Sequence, residues 1–123
     1  MSEGIPFYVW IAVGVLLFLG LRRLLGSKSM LSPDQLQQLR HDGAQVVDVR
    51  SPAEFRSGHA PGSLNIPVDQ LQARMGELDP ARPVLLCCAS GARAGFAKSA
   101  LDRAGFKVVH NVGPWERLGA VAS

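Results

Sequence analysis

The chain is 123 residues long, about one domain's worth, with 47% hydrophobic and 19% charged residues. That composition excludes a disordered tail, a collagen-like repeat and a disulfide-stapled miniprotein. Two cysteines without His/Cys spacing exclude a structural zinc site. The net charge of +3 is unevenly divided: residues 1–30 carry +2, while residues 31–123 carry ten Lys/Arg against nine Asp/Glu. A nearly balanced main body argues against a nucleic-acid-binding surface, and no nucleic-acid partner is expected.

The first element is an apolar run. From Ile5 to Leu21 there is no charge, and only Pro6, Gly14 and Gly20 interrupt 14 hydrophobic residues. Seventeen residues sit at the short end of what crosses a bilayer as a helix at ~1.5 Å per residue. Tyr8 and Trp10 mark one end, and Arg22, Arg23 and Lys28 follow the other. A cleaved signal peptide would want positive charge before the run and small residues after it, whereas here Glu3 precedes and Arg-Arg-Leu-Leu follows. The expectation is a single-pass transmembrane anchor over residues 1–25, touching the membrane through 5–25. By the positive-inside rule its N-terminus lies outside and the rest faces the cytoplasm, in a cell inner (cytoplasmic) membrane. Residues 26–30 (GSKSM) read as a short tether.

Residues 31–123 read as one α/β domain. Ser32-Pro33-Asp34-Gln35 is a capping box with Pro at the first helical position, and Gly43 stops that helix. Gln45 to Val49 is a strand, and Ser51-Pro52-Ala53-Glu54 repeats the capping device for a brief helix ending at Gly58. Leu64 to Ile66 is a short strand. Val68, Leu71, Met75 and Leu78 predict a helix over 68–78, broken by Asp79 and Pro80. Pro83 to Cys87 is a continuous apolar run suited to a buried central strand. A helix over 94–104, a strand at Lys107 to His110 and a last helix over Pro114 to Val121 complete the chain. Alternating strands and helices predict a parallel sheet with helices on its faces.

The chemistry concentrates where the apolar strand ends. Cys88 to Arg93 is a six-residue loop leading into a helix. In an open parallel sheet ligands bind outside the carboxyl ends of the strands, and successive amides at a helix N-terminus cradle an anion. The helix dipole, those amides and Arg93 favour a thiolate over a thiol there. Ala89, Ser90, Gly91 and Ala92 let the backbone curl around whatever the sulfur carries. Such a nucleophile accepts a sulfur atom or an oxyanion without metal, cofactor or separate base. The plain alternative makes Cys87 and Cys88 two small buried hydrophobes at a strand end.

These residues are familiar as a set. Asp48-Val-Arg50, Glu54-Phe55, Gly58-His-Ala-Pro-Gly-Ser-Leu-Asn-Ile-Pro67, Cys88-Ala-Ser-Gly-Ala-Arg93 and the Asn111-Val-Gly-Pro-Trp115 turn resemble the rhodanese (thiosulfate sulfurtransferase-like) family over about residues 31–120. The resemblance implies an α/β fold around a five-stranded parallel sheet. It also implies a cysteine that carries sulfane sulfur as a persulfide from a donor to a thiol or cyanide-like acceptor. The donor would be thiosulfate or a low-molecular-weight or protein persulfide. Carried over by residue, Cys88 matches the nucleophile, residues 89–92 the substrate-holding loop, and Arg93 the residue that closes and orients it. Asp48, Arg50, Glu54 and His59 match positions that brace the site, with His59 a scaffold residue of its turn. His41 and His110 have no partner in the sequence.

Two departures from the family pattern matter. Ala89 stands where many members place Arg or Lys, which weakens attraction for dianionic thiosulfate and favours a neutral or protein-bound persulfide. Cys87 makes the register ambiguous: from Cys88 the loop is C-x4-R, and from Cys87 it is the C-x5-R of cysteine phosphatases and arsenate reductases. Ungapped alignment of Cys88 to Arg93 favours Cys88. Cys87 then ends the strand facing the other way, as a free thiol or as a resolving partner for an oxidised Cys88. Two alternatives remain beside the sulfurtransferase: a non-catalytic docking module at the membrane, and an oxyanion enzyme using Cys87.

Overall fold

The computed structural model describes residues 4–26 and 31–119, with side chains in the first stretch through Leu21. It divides into two compact units, residues 1–30 and 31–123. The tether expected over 26–30, apart from Gly26, and the end of the last helix expected beyond Gly119 lie outside the described residues.

The first unit is helix α1, Phe7–Gly26. From Phe7 to Leu21 its side chains are exposed on every face, with Phe7 at 76% and Leu16 and Leu17 at 69%. Among the described residues no helix is long and apolar enough to cross a membrane. The described apolar stretch, Phe7 to Leu21, rises only ~22 Å, against the ~30 Å of a bilayer's hydrocarbon core. The transmembrane span expected over residues 1–25 is therefore not supported.

The second unit is a sheet between two helical layers. In chain order it contains α2 (Pro33–His41), β1 (Gln45–Asp48), α3 (Pro52–Arg56), β2 (Leu64–Asn65), α4 (Leu71–Arg74), β3 (Val84–Cys88), α5 (Ala92–Arg103), β4 (Val109–Pro114) and α6 (Glu116–Gly119). Both expected capping boxes form. Ser32 and Ser51 accept from the amides of Gln35 and Glu54, whose side chains accept in return from the amides of Ser32 and Ser51. The strands lie in the order β2-β1-β3-β4, all parallel. Four strands are present among the described residues, where the family resemblance implies five.

Every residue of β3 is buried, and its side chains alternate between the two layers. Val84, Leu86 and Cys88 face one core with Ala94, Ala97 and Leu101 of α5. Leu85 and Cys87 face the other core with Leu36 of α2 and Leu118 of α6. Two further elements differ from expectation. Residues 68–78 form two 3₁₀ turns, Val68–Gln70 and Met75–Glu77, around the single α turn of α4, instead of one helix. The last strand runs Val109–Pro114, not 107–110, because a bulge carries it through Gly113 at φ +90°: Leu86 pairs with Asn111, but Cys87 pairs with Gly113.

Candidate active site

The site begins at the carboxyl end of β3. Cys88 is completely buried and sits at the floor of a loop whose tips, Ala89 and Ser90, are exposed. Gly91 turns the chain back with φ +106°, a left-handed conformation that a side chain would strain, and becomes the N-cap of α5. In that conformation its N–H donates to the Cys88 Sγ at 2.8 Å. The loop ends at Ala92, where the 12-residue α5 begins and directs its dipole toward the sulfur's end of the sheet.

Arg93 lies one residue into α5 and reaches sideways, away from any free role as an anion clamp. Its Nη1 and Nη2 donate to Oε1 and Oε2 of Glu54 at 2.7 and 3.0 Å, a fork-to-fork pair between elements 39 residues apart. The guanidinium of Arg93, then the Ser51 amide, hold the Glu54 carboxyl at about 2, well below its ordinary 4.5. Glu54 so completes a capping box with one oxygen and ties α3 to the loop with the pair.

Beneath α3 lies a second ion pair, this one buried. Asp48, the last residue of β1, is fully buried, and Arg50 is 4% exposed. The Arg50 Nε donates to both Asp48 oxygens at 3.0 Å, Nη2 donates to Oδ2 at 2.7 Å, and the Arg50 amide donates to Oδ1 at 3.0 Å. The remaining guanidinium protons reach the carbonyls of Gly58 at 2.7 Å and Glu54 at 3.3 Å. The Trp115 ring covers the group, 4.8 Å from the guanidinium carbon to the ring centre. Asp48 and Arg50 thus fix α3, and α3 fixes Arg93. His59 stands apart: it stacks on Phe55 at 3.7 Å, with its Nδ1 against the Phe55 carbonyl at 2.8 Å, exposed and with no hydrogen bond to the loop.

Cys87 occupies a different environment from Cys88. Both thiols are free. Burial first, and the Asp48 carboxylate second, push the Cys87 thiol up to about 12. It packs on the α2 and α6 side of the sheet, the face opposite Cys88. Among the described residues no group of three or more His, Cys, Asp or Glu is placed to hold a metal ion.

Two residues near the loop carried no site role in the sequence reading. Asn111 donates from Nδ2 to the Gly91 carbonyl at 2.9 Å and accepts the Gly113 N–H at Oδ1, also at 2.9 Å. Trp115 donates its amide to the Cys88 carbonyl at 2.9 Å as its ring covers Arg50. The signal for both was their place in the Asn111-Val-Gly-Pro-Trp115 segment, which the structure puts in the second half of β4 and just past its end.

The rhodanese-like domain family matches residues 32–117 of the chain. The thiosulfate sulfurtransferase GlpE of Pseudomonas aeruginosa is 33% identical over 82 residues, covering 67% of this chain and 74% of GlpE. YqhL of Bacillus subtilis is 41% identical over 69 residues, 56% of this chain, which spans only 55% of YqhL's length. A solved structure described as rhodanese with anions from E. coli superposes with a TM-score of 0.58 at 28% identity, over 61% of this chain and 91% of that one. An ion-paired frame around a cysteine loop at the end of a parallel strand, and a family match covering that whole frame, lead to one assignment: the chain belongs to the rhodanese-like domain family.

Proposed function

We propose that the protein is a sulfurtransferase in which Cys88 carries sulfane sulfur as a persulfide. The observation that carries this reading is the Gly91 N–H aimed at the Cys88 Sγ from the tight loop that opens α5. The Cys88 thiolate attacks the terminal sulfur of a donor R–S–SH, the donor's S–S bond breaks, and R–S⁻ leaves with the bonding electrons. The sulfane sulfur and its proton are then on Cys88 as Cys88–S–SH. An acceptor thiolate attacks that outer sulfur in the second half, and the Cys88 thiolate leaves. Cyanide attacking in place of the thiolate would take the sulfur away as thiocyanate.

The charge of the site supports a neutral or protein-bound persulfide over thiosulfate as donor. Residue 89 is alanine, and the one arginine of the loop is spent on Glu54. A dianion entering the loop would lose its hydration with no unpaired arginine of the loop to replace it. Cys87 is a poor candidate for the nucleophile: its thiol is pushed up to about 12 and packs on the other face of the sheet.

The N-terminal helix is proposed to attach the domain to a membrane, with the domain on the cytoplasmic side. Support comes from the exposure of its apolar side chains all round and from Arg22 and Arg23 after the apolar run. Recovery of the full chain in the soluble fraction, under conditions that leave a marker membrane protein in the pellet, would refute that attachment.

Intact mass measurement of the full chain tests the chemistry. After incubation with glutathione persulfide or thiosulfate, the wild type is expected to gain the mass of one sulfur atom, faster from the persulfide. Cys88→Ser should gain none, and Cys87→Ser should behave as wild type. No adduct under any condition would favour a docking module, and an adduct that follows Cys87 would favour the longer-loop oxyanion chemistry.

A further inference from the structure

Asn111 stands where the pattern of β4 calls for an apolar side chain. Val109 of β4 belongs to the core beneath α5, and alternation puts residue 111 on that same face, opposite Leu86. A half-buried amide there must find partners for its polar atoms. Both partners belong to close-packed glycines. Nδ2 donates to the carbonyl of Gly91, and Oδ1 accepts from the amide of Gly113. These glycines nearly touch: a Cβ built on Gly91 would lie 3.3 Å from the Gly113 Cα, and 3.7 Å from the Asn111 Oδ1 itself. The bulge after Asn111 and the positive φ of Gly113 bring the strand this close.

Gly91 is also the residue that contacts the sulfur. Its N–H donates to the Cys88 Sγ, and its carbonyl accepts twice, from the Gly95 amide at 3.0 Å and from Asn111. The Gly95 bond belongs to the helix. Besides the Cys88 contact itself, the Asn111 bond is what ties Gly91 to the sheet among the described residues, and it holds the turn from which the Gly91 N–H points.

We infer that Asn111 is a positioning residue of the sulfur-carrying loop, holding Gly91 in the left-handed turn that aims its N–H at Cys88. The inference rests on the reading of Cys88 as a persulfide carrier. Ala89 and Ser90 lie exposed and outside this clamp. Gly91 stays in place to meet the transferred atom.

Asn111→Asp separates the two halves of the clamp. It keeps an oxygen for the Gly113 N–H but sets a carboxylate oxygen, without a hydrogen, against the Gly91 carbonyl. Sulfur loading from glutathione persulfide would be followed by intact mass across donor concentrations, together with thermal melting of each protein. Folded Asn111→Asp is expected to load roughly tenfold more slowly at saturating donor, with the half-saturating concentration unchanged. A residue that merely stabilises the fold would lower loading only in proportion to the unfolded fraction. Wild-type loading by folded Asn111→Asp overturns the inference.

Should the variant fail to fold, hydrogen exchange in the wild type decides. The Asn111 side-chain amide and the Gly91 N–H are expected to exchange far more slowly than the Ser90 N–H, and equal rates overturn the clamp. Wild-type protein that gains no sulfur refutes the sulfurtransferase reading instead, and the exchange measurement still judges the clamp.

Discussion

The buried pair of Asp48 and Arg50 should be the most sensitive polar contact in the domain. In Asp48→Asn the shape is kept and the charge is lost. Arg50 then faces one amide oxygen where it had a carboxylate receiving three guanidinium contacts, at 2.7, 3.0 and 3.0 Å. Removing one partner of a buried pair costs about 3–5 kcal/mol, because the other charge stays behind without compensation. Here the carbonyls of Gly58 and Glu54 and the face of Trp115 still receive the guanidinium, which sets the loss at the lower end, about 3 kcal/mol. In a domain this size that is a fall in melting temperature of roughly 12–24 °C. Urea unfolding followed by far-ultraviolet circular dichroism, with melting alongside, measures it. Asp48→Leu combined with Arg50→Met should recover part of the loss, since no charge is stranded. A single variant within about 1 kcal/mol of wild type would refute the reasoning, because the carboxylate would then not be what makes the buried arginine tolerable.

The loop offers four further tests. Cys87→Ala should retain sulfur loading and lose only about 1 kcal/mol of stability, measured by intact mass and urea unfolding; loss of loading in a folded variant would contradict the assignment to Cys88. Gly91→Ala, strained at φ +106° and crowded by the Gly113 Cα at 3.3 Å, should cost about 1–2 kcal/mol and slow loading far more than its unfolded fraction explains. Glu54 should titrate near 2 by carbon-13 chemical shift, not at 4.5. Because its folded value is depressed, its contribution is complete above the ordinary carboxylate range and is lost as pH falls toward 2; Arg93→Ala should raise the midpoint toward 4.5 but leave it below, because the Ser51 amide still donates to the carboxylate. Glu54→Gln keeps a residue fit for the capping box and frees the Arg93 guanidinium, so the rate with thiosulfate should rise relative to glutathione persulfide; an unchanged ratio would mean that the paired arginine does not govern donor choice.

What could be read from the sequence was local. The two capping boxes are complete within four residues each, so Ser32 to Gln35 and Ser51 to Glu54 announce their helices. The alternation along β3 is equally local, and it placed Cys87 and Cys88 on opposite faces. Residues 68–78 show a finer pattern that a single helical period overlooks. Val68 to Leu71 and Met75 to Leu78 are steps of three, and Leu71 to Met75 is a step of four, matching a 3₁₀ turn, an α turn and a 3₁₀ turn in succession. In β4, Gly113 and Pro114 read as strand breakers, yet a bulge accommodates both, a feature set by pairing with β3. The clamps of the site were illegible for the same reason: Arg93 meets Glu54 across 39 residues, and Asn111 meets Gly91 across 20.

Those clamps also explain how a site rich in arginine presents so little free positive charge. Arg50 is held by Asp48 and Arg93 by Glu54. Arg93 joins α5 to α3 across 39 residues, and Arg50 gathers Asp48, Glu54 and Gly58 around one group, because a guanidinium has several donors in a fixed fork. The charges are consumed in building the loop, and what remains to meet a ligand is oriented backbone. An amide such as Gly91 N–H stabilises a sulfur anion through a fixed partial charge, with no large desolvation cost to recover. Such a frame suits one sulfur atom with a diffuse single charge. It gives a doubly charged oxyanion little reason to leave water. On the proposed reading, donor selectivity would then follow from the pairing of the arginines at least as much as from the alanine at position 89.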